Sequence, residues 1–134
     1  MGIADAARPK RRGRIASAIY YDPVAEAVVC GAGAAGLAAA ATLSRTGVGA
    51  IVLERSDGVG ASWRARYDGL RLNKPAWMST MPGYRASHRR YGEYPARDDW
   101  VRYLQDYVDH HRIDLRAADL ATLDALWDEV KSLE

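Results

Sequence analysis

The sequence has little that could crosslink it, anchor it in a membrane or bind a metal. Its one cysteine, Cys30, excludes an internal disulfide, and its place in an apolar segment predicts a small core residue. No apolar stretch is long enough to span a bilayer. His88, His110 and His111 lack partners at metal-ligand spacing, so we interpret them as surface residues and predict no metal site. We therefore expect a cytoplasmic protein without a membrane span.

The formal net charge of +2 is unevenly distributed along the 134 residues. Residues 1–14 hold five basic residues against one acidic residue, and residues 113–134 hold six acidic residues against two basic ones. We interpret residues 1–22 as a solvated basic extension, since such charge runs are more often solvated than bound to nucleic acid or membrane. No uninterrupted apolar stretch follows Arg11 and Arg12, which argues against an export signal.

A G-x-G-x-x-G turn follows the first apolar segment and begins at Gly31. In a dinucleotide-binding turn, Gly31 permits the tight bend, Gly33 leaves room for a pyrophosphate, and Gly36 allows the helix to pack on the strands. The free N–H groups near Ala34 and Ala35 would then face the pyrophosphate. The motif alone is a weak signal.

A carboxylate at the end of the second apolar segment strengthens this interpretation. Glu54 lies 18 residues beyond Gly36, close to the separation of about 20 residues that the dinucleotide fingerprint requires. Its carboxylate suits the two hydroxyls of an adenosine ribose and would repel a 2′-phosphate, so NADP is disfavoured at this position. The fingerprint does not separate FAD from NAD.

The segments around the turn predict a Rossmann-like βαβ unit of the α/β class. We expect a strand over 25–30, a helix over 35–45 that ends near Gly47, and a second strand over 50–53. A unit of this size favours parallel pairing with a right-handed crossover.

The remaining chain predicts a long loop region and two helices. Residues 56–95 lack regular periodicity, so they are either a functional loop region or poorly ordered; their many aromatic residues argue against disorder. Helical spacing of apolar residues predicts helices over 96–110 and 119–134. The second helix carries a leucine-rich stripe, and Asp119 is its expected N-cap.

Further landmarks follow the fingerprint in a fixed order. After L-E-R at 53–55 come a glycine-rich step ending in tryptophan at 60–63, Y-D-G-L-R-L at 67–72, P-G at 82–83 and Y-P at 94–95. With these motifs, residues 24–116 resemble the N-terminal FAD-binding portion of the flavin-containing monooxygenase superfamily, which includes the Baeyer–Villiger enzymes.

The resemblance implies FAD as the cofactor and assigns residues to each part of it. The implied contacts are Gly31, Gly33, Ala34, Ala35 and Gly36 with the pyrophosphate, Glu54 with the ribose, Arg55 beside the adenine, and Gly60, Ser62 and Trp63 along the flavin end. Asn73 would lie near the reactive flavin edge as a hydrogen-bond donor. The alternatives are an ordinary turn at Asn73 and a core aromatic at Trp63.

The resemblance also has departures. A second G-x-G-x-x-G domain for NADPH is missing, and so is the histidine-containing signature that precedes it in the family. We therefore expect an incomplete FAD domain over 23–116, followed by an amphipathic helix of unmatched origin over 117–134.

The implied function is that of the FAD-binding portion of an NAD(P)H-dependent flavin monooxygenase, truncated and not fully active alone. The complete enzyme would use NADPH and insert oxygen into a small-molecule substrate through a C4a-peroxyflavin. One alternative is a non-catalytic nucleotide-binding or interaction module that associates through residues 119–134, although packing of that helix on its own sheet is favoured. Another is a different FAD- or NAD-linked oxidoreductase.

Overall fold

A computed structural model describes residues 26–118 and 120–132 of the chain. The elements are, in order, β1 (Ala27–Cys30), α1 (Ala34–Arg45), β2 (Ala50–Glu54), α2 (Ala61–Arg64), a 3-10 turn (Ala76–Ser79), α3 (His88–Tyr91), α4 (Arg97–His111), β3 (Asp114–Ala117) and α5 (Leu120–Lys131). The basic extension at 1–22 and the expected N-cap Asp119 lie outside the described residues.

The described strands form one parallel sheet in the order β1-β2-β3. Cys30 is paired with Leu53, and Glu54 with Ala117. The parallel βαβ unit is therefore confirmed. The third strand was not predicted, because its short D-L-R-A sequence has no apolar run and alternates charged with small or apolar residues.

Helices α1 and α4 supply a large part of the core. The predicted stripe on α4 is buried in the same core cluster as Leu37 and Ala41 of α1 and Val52 of β2; the α4 residues are Trp100, Tyr103, Leu104 and Tyr107. Apolar residues three and four positions apart share one helix face, which explains why this pattern was visible in the sequence.

The aromatic-rich region at 56–95 is held against α4 by tyrosine hydroxyls. The Tyr103 hydroxyl accepts a hydrogen bond from the Met81 N–H and donates one to the Tyr84 carbonyl, each at 2.7 Å. The Tyr107 hydroxyl donates to the Pro82 carbonyl at 2.6 Å. Burial raises the pKa of Tyr103 to about 12, so its hydroxyl stays protonated at neutral pH. Residues 56–95 are therefore packed against the core, and the alternative that they are poorly ordered is wrong.

The prediction that Cys30 is a core residue is wrong, because its side chain is exposed. Successive side chains of a strand point to opposite faces. Val29 packs against the core, so Cys30 points to the other face. Cys30 is exposed on that face because β1 is an edge strand of the described sheet. Its partner Leu53 lies on the central strand and is fully buried.

One of the three histidines also departs from its prediction. His88 and His110 are exposed as expected, but His111 is half-buried and its ring lies 4.4 Å from that of Tyr107, centroid to centroid. Burial lowers the pKa of His111, since it disfavours the charged imidazolium. The sequence missed this because His111 is in the last turn of α4, where the chain turns back towards the sheet.

Two further findings concern the described residues alone. None of their helices combines the length and the apolar character that crossing a bilayer would require. No three of their histidine, cysteine, aspartate and glutamate side chains are grouped so that they could hold a metal ion.

Candidate functional site

A cleft of about 230 Å³ lies at the carboxyl ends of β1 and β2. Three segments line this carboxyl-end cleft: Ala32 and Gly33 after β1, residues 54–56 at the end of β2, and Gly60, Ala61 and Ser62 at the start of α2. In open parallel sheets, ligands bind outside the carboxyl ends of the strands. The cleft is thus where this fold presents a binding site.

The three glycines of the turn differ in why glycine suits their positions. Gly31 has a φ of +99°, which favours glycine, and its N–H donates to the Leu53 carbonyl at 2.7 Å. A Cβ on Gly36 would lie 2.0 Å from the Gly31 carbonyl oxygen, so the fold itself requires a glycine there. A Cβ on Gly33 would meet no atom of the described residues within 4 Å, its chain neighbours aside. The position of Gly33 is therefore open on the cleft side.

The N-terminus of α1 opens beside Gly33. Gly33 is the N-cap and makes no side-chain cap bond, and the first turn carries no acidic residue. The Leu37 N–H donates to the Gly33 carbonyl at 3.0 Å, so the N–H groups of residues 34–36 precede the first intrahelical bond. Such N–H groups, together with the positive end of the helix dipole, suit a phosphate.

The Glu54 carboxylate is fixed at the end of β2. Its Oε2 accepts a hydrogen bond from the Ala32 N–H at 2.6 Å, and its Oε1 accepts bonds from the Ser56 N–H at 2.8 Å and the Ser56 hydroxyl at 2.7 Å. Burial alone would raise the pKa of Glu54, but these hydrogen bonds and the Arg55 N–H lower it below its ordinary value. Glu54 is therefore an anionic acceptor on the cleft wall at neutral pH.

The loop between β2 and α2 is shaped by Arg64. The Arg64 guanidinium pairs with Asp57 at 2.6 Å and donates to the Val59 carbonyl. Gly60 then begins α2 with a φ of +76°, and a Cβ there would lie 3.2 Å from the Val101 side chain. These contacts place Gly60 on the cleft wall.

A second cleft of about 360 Å³ adjoins the first and shares Ser62 with it. It is lined by Ser62, Trp63, Arg66, Tyr67 and Leu70. Trp63 is half-buried, and its ring packs edge-on against Trp100 with centroids 6.1 Å apart. Trp63 thus both packs against the core and lines a cleft, so the two interpretations of this residue are compatible.

The structure brings together most of the predicted site residues. Five of them line the carboxyl-end cleft, namely Gly33, Glu54, Arg55, Gly60 and Ser62. Gly31, Ala34, Ala35 and Gly36 form the turn and the start of α1. Asn73 is exposed, lies in a bend before the 3-10 turn and lines neither described cleft, so its role stays a prediction.

Three further residues line the carboxyl-end cleft and were not predicted from the sequence, namely Ala32, Ser56 and Ala61. Ser56 had a usable signal, because a serine two residues after a carboxylate can donate to it across a turn. Ala32 and Ala61 carry no polar side chain, and only the backbone path places them on the cleft.

A parallel sheet, a glycine turn that opens a helix, and an acidic residue at the end of the second strand together define a Rossmann-like dinucleotide-binding unit. A family model described as an NAD(P)-binding Rossmann-like domain matches residues 29–94.

Similar proteins and solved structures show which kind of dinucleotide-binding protein this chain resembles. The chain is 45% identical over 83 residues to the indole-3-pyruvate monooxygenase YUCCA1 of Oryza sativa subsp. japonica, covering 61% of this chain and 20% of that one. It is 33% identical to a flavin-containing monooxygenase from Stenotrophomonas maltophilia, with a TM-score of 0.61 over 67% of this chain and 27% of the other. A steroid monooxygenase bound to NADP is 27% identical, with a TM-score of 0.56 over 69% of this chain and 19% of the other.

These likenesses confirm the resemblance found in the sequence. Over the matched residues, the chain is similar to the N-terminal dinucleotide-binding portion of flavin-containing monooxygenases. It spans about a fifth of the length of the curated relatives.

Proposed function

We propose that the carboxyl-end cleft binds the adenosine diphosphate part of FAD, and that the chain is the FAD-binding portion of an NAD(P)H-dependent flavin monooxygenase. One observation carries this proposal: the open N-terminus of α1 and the Glu54 carboxylate share one cleft. The first suits a pyrophosphate and the second suits ribose hydroxyls. Both polar parts of an adenosine diphosphate thus find complementary groups.

Each residue then has a defined role. The N–H groups of residues 33–36 hold the pyrophosphate, Glu54 accepts a hydrogen bond from the ribose, and Arg55 lies beside the adenine. Gly60, Ser62 and Trp63 follow the cofactor from the first cleft towards the second. FAD supplies the redox chemistry when bound, while this chain binds and orients it. Asn73 is proposed as a donor near the flavin edge.

The activity of the whole enzyme is proposed by analogy with its relatives. The relatives and structures compared above are monooxygenases by name, and one of them was solved with NADP bound. We infer that the complete enzyme transfers an oxygen atom to a small-molecule substrate at the expense of NADPH. Nucleic acid is not an expected partner.

Titration of the purified chain with FAD tests the proposal. FAD fluorescence is expected to change on binding, and ADP is expected to displace FAD because both occupy the adenosine diphosphate subsite. Flavin mononucleotide is the matched control, since it has the flavin and one phosphate but no adenosine half. Weak binding of this control and tight binding of FAD are expected. A chain that binds neither FAD nor ADP, even after attempted reconstitution, contradicts the proposal.

A second candidate is an interaction module that uses residues 119–134. It is supported by Trp127 on α5, which is 62% exposed, since large apolar side chains at a surface often mark a contact with another chain. Light scattering of the purified chain tests it. A Trp127→Ala variant that shifts a dimer to a monomer supports association, whereas a monomer at all concentrations contradicts it.

A cytoplasmic location is part of the same proposal. Cys30 is an exposed free thiol, and reducing compartments keep such thiols from forming disulfides. Cell fractionation with an antibody against the chain tests this expectation.

A further inference from the structure

Ser56 makes two hydrogen bonds to the same carboxylate oxygen. Its N–H lies 2.8 Å and its hydroxyl 2.7 Å from Oε1 of Glu54. The same hydroxyl oxygen lies 3.2 Å from the Gly58 carbonyl oxygen, in the loop that leads to α2. Ser56 also lines the carboxyl-end cleft. It therefore links the carboxylate at the end of β2 to the loop that follows.

These bonds determine which part of the carboxylate remains available. An ionised carboxylate has two oxygens with about four acceptor positions between them. Oε1 accepts two bonds from Ser56, whereas Oε2 accepts one from the Ala32 N–H at 2.6 Å. With both Ser56 donors on Oε1, Oε2 is the oxygen bonded to the glycine turn, and the Arg55 N–H is a further donor to the carboxylate.

We propose that Ser56 is a positioning residue for the adenosine ribose: it holds the Glu54 carboxylate so that Oε2 is presented to a ribose hydroxyl beside the glycine turn. This inference rests on the proposed function, since it assumes that an adenosine diphosphate group occupies the cleft. Ser56 acts through Glu54. Without its hydroxyl, the carboxylate rotates more freely and must be ordered when the ligand binds.

A double-mutant cycle on ADP binding tests the proposal, with affinities measured by calorimetry. Ser56→Ala is expected to weaken ADP binding about fivefold to tenfold, because the freed carboxylate side chain must then be ordered when the ligand binds. Ser56→Thr keeps the hydroxyl and should bind within about twofold of the parent chain. In a Glu54→Gln background, Ser56→Ala should change the affinity less than about twofold, because coupled residues are not additive.

The affinity for a ligand without ribose hydroxyls tests the ribose contact separately from any effect of the substitution on folding. For 2′,3′-dideoxyadenosine diphosphate, Ser56→Ala and the parent chain should bind equally. Thermal unfolding of each variant shows whether it is folded; if Ser56→Ala is not, Ser56→Cys replaces it, since the thiol keeps the side-chain size but is a weak donor.

The outcomes separate this inference from the proposed function. A parent chain that does not bind ADP overturns both. A parent chain that binds ADP, with a folded Ser56→Ala variant of equal affinity, overturns only the role of Ser56. Additive effects of the two substitutions, or an equal loss with the dideoxy ligand, would mean that Ser56 acts independently of Glu54 and also overturn it.

Discussion

Alanine at Gly36 and alanine at Gly33 add the same methyl group to the same turn, and we expect opposite consequences. At Gly36 the new Cβ would lie 2.0 Å from the Gly31 carbonyl oxygen, in the packed bend between β1 and α1. At Gly33 the backbone is extended, with φ −80° and ψ 176°, and the new Cβ would contact no atom in the described part of the chain within 4 Å except those of its chain neighbours. The first substitution should damage the fold and the second only the ligand site.

The magnitudes follow from the geometry. Overpacking of this kind lowers the free energy of unfolding by about 1–3 kcal/mol or more. The higher helix propensity of alanine offsets only about 1 kcal/mol of this loss. Because a contact of 2.0 Å requires the backbone to move, Gly36→Ala should reach the upper part of this range. A net loss of about 2 kcal/mol lowers the melting temperature by about 10 °C in a domain of this size.

Gly33→Ala should leave stability nearly unchanged. Alanine is a poorer N-cap than glycine, but it also restricts the unfolded chain, which stabilises the fold by about 0.4–1 kcal/mol where the native backbone suits it. The two effects offset each other. The methyl group, however, occupies space where a pyrophosphate would approach the backbone, so ADP affinity should fall at least about tenfold.

Thermal unfolding and ADP titration of the same samples check both parts. Gly69→Ala is the matched control, because a Cβ there meets only the Tyr67 ring at 4.0 Å and Gly69 is not among the residues lining the carboxyl-end cleft. It should change neither quantity. A Gly36→Ala variant as stable as the parent chain would refute the packing argument. A Gly33→Ala variant that binds ADP normally would refute the assigned ligand position.

Three further predictions concern single groups. Folding lowers the pKa of Glu54 below its ordinary value. Its ionised form therefore stabilises the chain fully above the ordinary glutamate pKa, and this contribution is lost as the pH falls through the lowered pKa. Urea unfolding should show a smaller loss of stability on acidification in Glu54→Gln than in the parent chain. Tyr103→Phe removes the hydroxyl that accepts from the Met81 N–H and donates to the Tyr84 carbonyl, and should cost about 1–3 kcal/mol in urea unfolding; an unchanged midpoint contradicts this. Cys30 is exposed, so one thiol per chain should react with a thiol reagent without denaturant, and reaction only after unfolding would contradict the described sheet.

Local sequence patterns determined much of the fold. The glycines of the turn, the apolar segments on either side and Glu54 after the second strand predicted a βαβ unit, and the parallel pairing confirms it. Helical spacing on α4 predicted its buried face. These features depend on neighbours within a few residues, where hydrophobic periodicity and backbone preferences act directly.

Other features depended on contacts between distant segments. Strand β3 pairs with β2 through backbone hydrogen bonds, which its short, charged sequence does not predict. Cys30 is exposed because of where β1 lies in the sheet, and the packing of His111 depends on the ring of Tyr107. Residues 56–95 are held in place by hydrogen bonds to tyrosine hydroxyls on α4, more than a dozen residues away in the sequence.

The sequence by itself predicted the class of ligand, because a glycine turn and a carboxylate at this spacing suit a dinucleotide. Only the tertiary structure decided how that carboxylate is held. Strand pairing brings Glu54 beside the glycine turn, where the Ala32 N–H and Ser56 fix its two oxygens. Hydrogen bonds require positions within about 3 Å, and a linear pattern cannot give such distances between segments that meet only after folding.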